Sequence, residues 1–255
     1  MVDALIGFSG FVGGNLKEQH EFDVCFNSTN FTAMMADHYD LVVCAGISAA
    51  KWVANNNPRE DKARISALTD VLSSVRAQRF VLISTIDVYP ILSGVDEDYN
   101  CHVVENHPYG VHRLEFEDFV SQQFENSFIV RLPGLFGRGL KKNLIFDLLN
   151  NNCLEMINSR SSFQYYDLSR LWHDIEIVIK SGTRKVNLFT EPIVSQQIIE
   201  TFFPGKVVGQ EAASEAHYDL YTKNSHLFGA RGPYVRSKED VLHQLKEFVE
   251  SYSRQ

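Results

Sequence analysis

The chain has 255 residues, which suits one large α/β domain or a nucleotide-binding domain with a small appended lobe. A net charge of −8 gives no indication of a nucleic-acid-binding surface, and no apolar run is long enough to span a membrane. No signal peptide is visible, and the four cysteines are too dispersed for metal or redox spacing. We therefore expect reduced thiols, no metal site and a cytoplasmic location.

The amino terminus combines a short apolar strand, a glycine-rich turn and a helix. The strand covers Ala4 to Ile6, and the helix runs from Phe11 to Gln19. Glycines let the backbone turn tightly and approach a phosphate, and the first N–H groups of the helix attract an anion. This order predicts a site for a dinucleotide pyrophosphate, although a plain tight turn is the alternative at this point. The predicted cofactor-binding residues are Gly7, Phe8, Ser9, Gly10, Phe11, Val12 and Gly13.

The tips of the next two strands are further candidates for cofactor contacts. In a dinucleotide fold the second strand ends at the adenosine ribose, where an acidic residue selects NAD and a basic neighbour accommodates NADP. Asn27 and Ser28 stand there and are neither, so NAD and NADP are not distinguished, and a simple polar turn is an equal alternative. The third strand, residues 40–46, ends in Ala45 and Gly46, whose small size suits a cofactor lying across the strand tip.

Strands and amphipathic helices alternate through the middle of the chain. Pro58 predicts the start of a long helix, a fourth apolar strand follows at 80–84, and another helix begins near Tyr109. A fifth apolar strand covers 128–132. This alternation predicts right-handed βαβ units and an α/β fold around a parallel sheet.

The pattern changes from about residue 150. Further elements are predicted as a helix through Trp172 and Ile179, a strand at 186–189, a helix from Ser195 and a tail helix from Ser237. We expect a Rossmann-type, doubly wound parallel sheet in 1–150, completed by the strand near 185–190. Residues 151–255 are then expected to form a small, interleaved C-terminal substrate lobe.

Five segments, in the right order, resemble the extended short-chain dehydrogenase/reductase family. The resemblance is to the NAD-dependent epimerase/dehydratase branch, which modifies nucleotide sugars. The segments are the Gly7-x-x-Gly10-x-x-Gly13 turn, Ser84-Thr85 through Val88-Tyr89, Tyr109-Gly110, Arg131-Leu132-Pro133 through Gly137-Arg138-Gly139, and Asp167-Leu168. The resemblance implies hydride transfer between a nicotinamide cofactor, NAD or NADP, and a nucleotide sugar or related carbonyl compound, and it allows a homodimer.

The resemblance also implies roles for three residues. Tyr109 would be the general acid/base, and Thr85 would hold the reacting oxygen within its reach. A phenol has a pKa of about 10, so Tyr109 needs a nearby cation to ionise near neutral pH. Arg113 stands where the family has a lysine; it keeps the charge, but its planar fork cannot place one compact ammonium on the nicotinamide ribose.

Other positions depart from or extend the family pattern. Arg64 stands where the family has an asparagine near the cofactor, and Pro133 opens the loop at a strand end where ligands bind. Ile86 replaces the acid of the dehydratases, although Asp87 is adjacent, so dehydration is disfavoured. The leading hypothesis is an NAD(P)-dependent epimerase or reductase. The alternative is a catalytically impaired NAD(P)-binding regulatory or assembly protein of the same fold.

Overall fold

The computed structural model describes residues 2–252, which form two compact units. The first unit contains the described residues up to Ile91, together with Asp98–Leu132 and Arg170–Asn187. The second contains Leu92–Glu97, Pro133–Ser169 and the described residues from Leu188 onward. The chain therefore leaves the first unit and returns to it twice.

The strands and helices follow one another along the chain with short connections. In chain order the strands are β1 Asp3–Ile6, β2 Val24–Phe26, β3 His38–Cys44, β4 Arg76–Thr85, β5 Ser127–Leu132, β6 Gly134–Phe136, β7 Ser162–Phe163, β8 Tyr165–Asp167, β9 Lys185–Asn187 and β10 Ile193–Val194. The α-helices are α1 Phe11–Gln19, α2 Lys51–Asn56, α3 Pro58–Leu72, α4 Pro108–Gln123, α5 Leu144–Asn150, α6 Leu171–Ser181, α7 Ser195–Phe202 and α8 Lys238–Tyr252. None of the helices in this described part of the chain has the length and apolar character needed to cross a membrane.

The first unit is built on a six-stranded sheet in the order β2-β1-β3-β4-β5-β9, with every neighbouring pair parallel. Every residue of β5 is buried, as a strand covered on both faces requires. The strand order reverses between β1 and β3, and ligands of such sheets bind at the carboxyl ends on either side of this reversal. The predicted α/β fold with a doubly wound parallel sheet is confirmed.

Most predicted elements of the first unit are present, with three differences. Helix α1 has the predicted bounds, and α3 begins at the predicted Pro58. Strand β3 ends at Cys44 rather than at residue 46, so that Ala45 lies just beyond it. Strand β4 begins at Arg76, where it pairs with His38 of β3, well before the predicted residue 80. Helix α2 was not predicted; it lies in a stretch that was interpreted only as a polar segment.

The second unit contains two small sheets rather than an extension of the large one. Strands β6 and β8 pair in parallel, and β7 and β10 pair antiparallel. The buried Gln164 joins three of its segments, because its Nε2 donates to the carbonyls of Thr190 and Leu220 at 2.6 and 2.8 Å. Its Oε1 accepts from the Leu220 N–H at 3.0 Å.

The bounds of the compact units differ from the predicted bounds of the two domains. Residues 133–150 belong to the second unit, although they were expected in the cofactor-binding body. Helix α6 and strand β9 belong to the first unit. Strand β9 pairs with β5 and is the strand near 185–190 that was expected to complete the large sheet. The assignment of one unit to cofactor and the other to substrate stays a prediction.

Candidate active site

Backbone segments pack closely against glycines at the point where the strand order of the sheet reverses. Gly7 has a φ of +89°, and a Cβ there would lie 2.5 Å from the carbonyl oxygen of Ala45. A Cβ on Gly13 would lie 2.1 Å from the carbonyl oxygen of Gly7, and one on Gly46 would lie 2.7 Å from the Ile6 side chain. The predicted residues at the ends of β1 and β3 and in α1 are therefore in direct contact, and these positions exclude any larger side chain.

The outer side of the same turn is open. Gly10 is exposed, and a Cβ there would approach only the Gly7 carbonyl, at 3.3 Å. Gly10 is also the N-cap of α1, which has neither a side-chain cap nor an acidic residue in its first turn. Ser9 is exposed, whereas Phe8, Phe11 and Val12 are half-buried. A helix N-terminus without its own acceptor, behind a bare backbone turn, fits the pyrophosphate of a dinucleotide.

The tip of β2 forms a tight polar turn. The side-chain oxygen of Asn27 accepts from the backbone N–H and the hydroxyl of Thr29, at 2.9 and 2.7 Å. The N–H of Asn27 donates to the side chain of Asn30 at 2.7 Å, and Ser28 is exposed. The turn therefore uses the amide oxygen of Asn27 internally and presents hydroxyl groups without a carboxylate. The choice between NAD and NADP stays open.

The two hydroxyl residues expected to act on the substrate are together at the carboxyl end of β4. Tyr109 lies in the first turn of α4 and is 6% exposed. The hydroxyl of Thr85 accepts from the Asp87 N–H at 3.2 Å, and its interaction with the Tyr109 phenol favours the ionised form of that phenol. The first turn of α4 is fixed by Asn55, which accepts from the Tyr109 N–H at 2.9 Å, and by His107, whose Nδ1 accepts from the Gly110 N–H at 3.0 Å.

Arg113 is engaged by the protein itself. It is 4% exposed, and its guanidinium carbon lies 3.9 Å from the centroid of the Tyr109 ring. Nη2 donates to Asp61 Oδ1 at 2.9 Å and to the Ser48 carbonyl at 2.7 Å, while Nη1 donates to Asp61 Oδ2. Asp61 also contacts Nδ1 of His112 at 2.7 Å. The Arg113 guanidinium therefore stacks on the ring of Tyr109, the predicted acid/base, and is hydrogen-bonded to the buried carboxylate of Asp61.

The electrostatics of this cluster follow from its burial and its pairs. Burial by itself would raise the pKa of Asp61, but the hydrogen bonds and charges of Arg113 and His112 outweigh it and hold that pKa below its usual range. Burial raises the pKa of the Tyr109 phenol; the charge of Arg113 and the hydrogen bond from Thr85 oppose this shift without cancelling it. Tyr109 is therefore protonated at neutral pH in the protein alone.

A second ion pair lies beside Tyr109, and sequence reasoning missed it. Lys51 Nζ lies 2.5 Å from Asp87 Oδ1, and Nε2 of His107 lies 3.8 Å from the same oxygen. Burial would raise the pKa of Asp87, but His107 and the charge of Lys51 outweigh it, so that the carboxylate stays ionised. The adjacency of Asp87 to Thr85 was visible in the sequence, whereas no motif marked Lys51.

Two predicted cofactor residues have less distinctive surroundings. Arg64 lies on the exposed face of α3, where it pairs with Glu60 one turn earlier at 2.5 Å. Pro133 is buried and follows β5 directly, as the first residue of the second unit. Neither position reveals a ligand-binding arrangement, and both assignments stay predictions.

Comparisons with known proteins reveal similarity in sequence and in fold. The sequence profile of the NAD dependent epimerase/dehydratase family matches residues 13–158. No curated protein matches the sequence. Among solved structures, MoeE5 in complex with UDP-glucose and NAD aligns with 100% of this chain and 99% of its own, with a TM-score of 0.75 at 15% identity.

Two dTDP-4-dehydrorhamnose reductases are also similar in structure. The one from Bacillus anthracis, in complex with NADP, aligns over 98% of this chain and 99% of its own, with a TM-score of 0.73 at 15% identity. The one from Yersinia enterocolitica aligns over 99% and 100%, with a TM-score of 0.69 at 12% identity. At such identities these likenesses establish the shared fold.

Proposed function

The chain belongs to the NAD dependent epimerase/dehydratase family, and on that premise we propose that it is an NAD(P)-dependent reductase or epimerase of a nucleotide-activated sugar or a related carbonyl compound. The observation that carries the proposal is the placement of Thr85 and Tyr109 at the carboxyl end of β4, where the Thr85 hydroxyl favours the ionised form of the Tyr109 phenol. Similar folds have been solved with UDP-glucose and NAD, and with NADP, which supports the substrate and cofactor classes.

Each part of the first unit then has a role. The glycine turn from Gly7 to Gly13 and the N-terminus of α1 hold the pyrophosphate. The bound nicotinamide supplies or accepts the hydride. Thr85 donates a hydrogen bond to the reacting oxygen and keeps it within reach of Tyr109, whose phenolic oxygen gives up a proton in reduction and takes one in oxidation. Arg113 fixes the plane of the Tyr109 ring.

The protonated state of Tyr109 suits the reductive direction of the reaction. Reduction of a ketone consumes a proton, and the buried phenol, with its pKa raised, already carries one at neutral pH. An epimerase must first oxidise its substrate and therefore needs the phenolate. Keto sugars with reduced cofactor are therefore the first substrates to test, and epimerisation stays the alternative.

One observation favours a different function. In the family a lysine four residues after the tyrosine acts on both the phenol and the nicotinamide ribose, whereas Arg113 is occupied by Asp61 and Ser48. A protein that binds NAD(P) but turns over slowly, as a regulator or an assembly subunit, is the second candidate.

An absorbance assay separates these functions. Purified protein is incubated with NADH or NADPH and a panel of keto nucleotide sugars, and with NAD or NADP and the corresponding sugars, while the nicotinamide band is recorded. We expect turnover that falls by about 100-fold or more in Tyr109→Phe, since general acid–base catalysis contributes about 10²–10⁴-fold. Tyr252→Phe, at a tyrosine in the last turn of α8, is the matched control and keeps its rate.

Two results would contradict the proposal in different ways. Tight cofactor binding without turnover of any sugar in the panel would favour the NAD(P)-binding regulator. Failure to bind either cofactor, measured by quenching of protein fluorescence, would remove both candidates. Cofactor binding retained by Tyr109→Phe makes the loss of rate a chemical effect.

Three further predictions belong to the same proposal. Residues 151–255, apart from Arg170–Asn187 of the first unit, provide the substrate lobe, and residues 133–150 join it as part of the compact second unit. The protein is cytoplasmic, which suits cysteines that all have free thiols. Homodimer formation is an expectation from the family resemblance alone.

A further inference from the structure

The ion pair of Lys51 and Asp87 lies where three elements meet around Tyr109. Lys51 is the first residue of α2, and Asp87 lies in the turn that follows β4. The backbone of Asp87 is pressed against the first turn of α4, because a Cβ on Gly110 would lie 2.3 Å from its carbonyl oxygen. The other end of α2 is held to the same turn by the Asn55 bond to the Tyr109 N–H at 2.9 Å. Both charges of the pair are therefore fixed beside Tyr109.

The charges that face Tyr109 come from every element packed around it. They are Arg113 from its own helix, Asp87 from the turn after β4, Lys51 from α2, His107 from the residue before α4 and, behind Arg113, Asp61 from α3 with His112. Two carboxylates and two permanent cations thus surround one phenol. Asp61 binds both terminal nitrogens of Arg113, and Arg113 is still the charge that most favours ionisation of Tyr109.

Lys51 has the opposite arrangement to Arg113. Its side chain is 39% exposed and ends in a compact ammonium, whereas the Asp87 side chain that it meets is 18% exposed. An unbalanced carboxylate at Asp87 opposes ionisation of Tyr109, and the charge of Lys51 favours it. The lysine is thus placed to cancel the one carboxylate that faces the phenol without a guanidinium partner.

We propose that Lys51 is a positioning residue of the active site, which holds and neutralises Asp87 so that Tyr109 can exchange its proton with substrate at working pH. The ammonium acts on Tyr109 by its charge, which offsets the charge of the Asp87 carboxylate, and not by contact with the substrate. Its positive charge favours ionisation of Tyr109, as the charge of a lysine four residues after the tyrosine would. This inference rests on the proposed function in one respect, namely that Tyr109 is the acid/base.

The test measures ionisation of Tyr109 itself and needs no turnover. 3,5-Difluorotyrosine, whose phenol ionises near neutral pH, is placed at position 109 alone by stop-codon suppression, and its ¹⁹F shift is followed against pH. We expect Lys51→Met to raise the pKa at position 109 by about one unit, because an unbalanced carboxylate within ~4–6 Å shifts a pKa by that order. Asp87→Asn should lower it, and the double variant should lie between the two single variants, because the two charges act on the phenol with opposite signs.

Two further variants serve as controls. Lys51→Arg keeps the charge and should restore most of the shift. Lys62→Met removes an exposed lysine that pairs with Glu115, with Nζ 3.1 Å from Oε2, and should leave the titration unchanged. Circular dichroism of each variant establishes that it is folded. No movement of the titration in a folded Lys51→Met variant, or the same movement in Lys62→Met, would overturn the inference.

Turnover distinguishes failure of this inference from failure of the proposed function. If a sugar substrate is reduced, the alkaline limb of the pH–rate profile should move to higher pH by about one unit in Lys51→Met. A rate without any such movement contradicts the inference and leaves the reductase intact. A shifted titration with no substrate turned over supports the coupling of Lys51 to Tyr109 while the enzymatic function fails.

Discussion

Arg113 binds both oxygens of Asp61 and stacks on Tyr109, and an Arg113→Lys substitution would remove most of this arrangement. A lysine keeps the positive charge but has one nitrogen, so that one carboxylate oxygen loses its donor. A hydrogen bond to a charged group contributes about 1.5–3 kcal/mol, and a guanidinium over an aromatic face adds about 0.5–1 kcal/mol. We therefore expect Arg113→Lys to lower the free energy of unfolding by about 2–4 kcal/mol.

Thermal unfolding is the assay. For a chain of this size a loss of 1 kcal/mol lowers Tm by about 2–4 °C, so the expected decrease is roughly 4–16 °C. Arg64→Lys is the matched control, because Arg64 makes a single contact to Glu60 with a side chain that is 64% exposed. Exposed ion pairs contribute about 0–1 kcal/mol, and the Tm of this control should stay close to that of the parent protein.

Both the stability and the rate of Arg113→Lys bear on the reasoning. Equal melting of Arg113→Lys and the parent protein would refute the argument that the fork geometry matters. We also expect the kcat of Arg113→Lys to be unchanged or lower, because lysine cannot hold the plane of the Tyr109 ring. A higher kcat would mean that arginine impairs catalysis, and it would favour the NAD(P)-binding regulator.

Two further predictions concern the glycine turn and the core. Gly13→Ala should abolish cofactor binding or prevent folding, because its Cβ would lie 2.1 Å from a carbonyl oxygen, whereas Gly14→Ala, with 3.7 Å of space, should bind cofactor normally; titration by fluorescence compares the two. Glu117→Gln should destabilise the protein by about 3–5 kcal/mol in urea unfolding, because it removes the charge that pairs with the fully buried Arg131. An exposed glutamate of the same helix, Glu115, provides the control and should change stability by less than about 0.5 kcal/mol when replaced by glutamine.

The secondary structure could be predicted where apolar periodicity and end signals agree. Pro58 marks the start of α3 because proline is favoured at the first helical position. The first residues of β4 could not be found, since residues 76–79 (Arg-Ala-Gln-Arg) lack the apolar run of a buried strand and become a strand only by pairing with β3. Helix α2 has only six residues, and it ends at Asn56, two positions before Pro58, so local pattern gave it no signal.

The candidate site divides in the same way. The pairing of Thr85 with Tyr109 could be predicted, because both stand in motifs whose spacing is fixed by a strand end and a helix start. The pairing of Asp61 with Arg113 could not be predicted, because Asp61 lies 52 residues earlier and resembles an ordinary acidic residue in the first turn of a helix. Lys51, 36 residues before Asp87, has no motif of any kind. Contacts between side chains distant in sequence depend on packing that local pattern does not contain.

The two pairs together bear on the direction of the reaction. Asp61 pairs with Arg113, and Lys51 pairs with Asp87, so each cation beside Tyr109 is held in an ion pair while the phenol is buried. Burial outweighs the two cations, so the phenol keeps its proton, which is the form that reduction of a carbonyl requires. The Arg113–Asp61 pair is better understood as one coupled feature that holds the guanidinium on the Tyr109 ring than as the loss of a lysine.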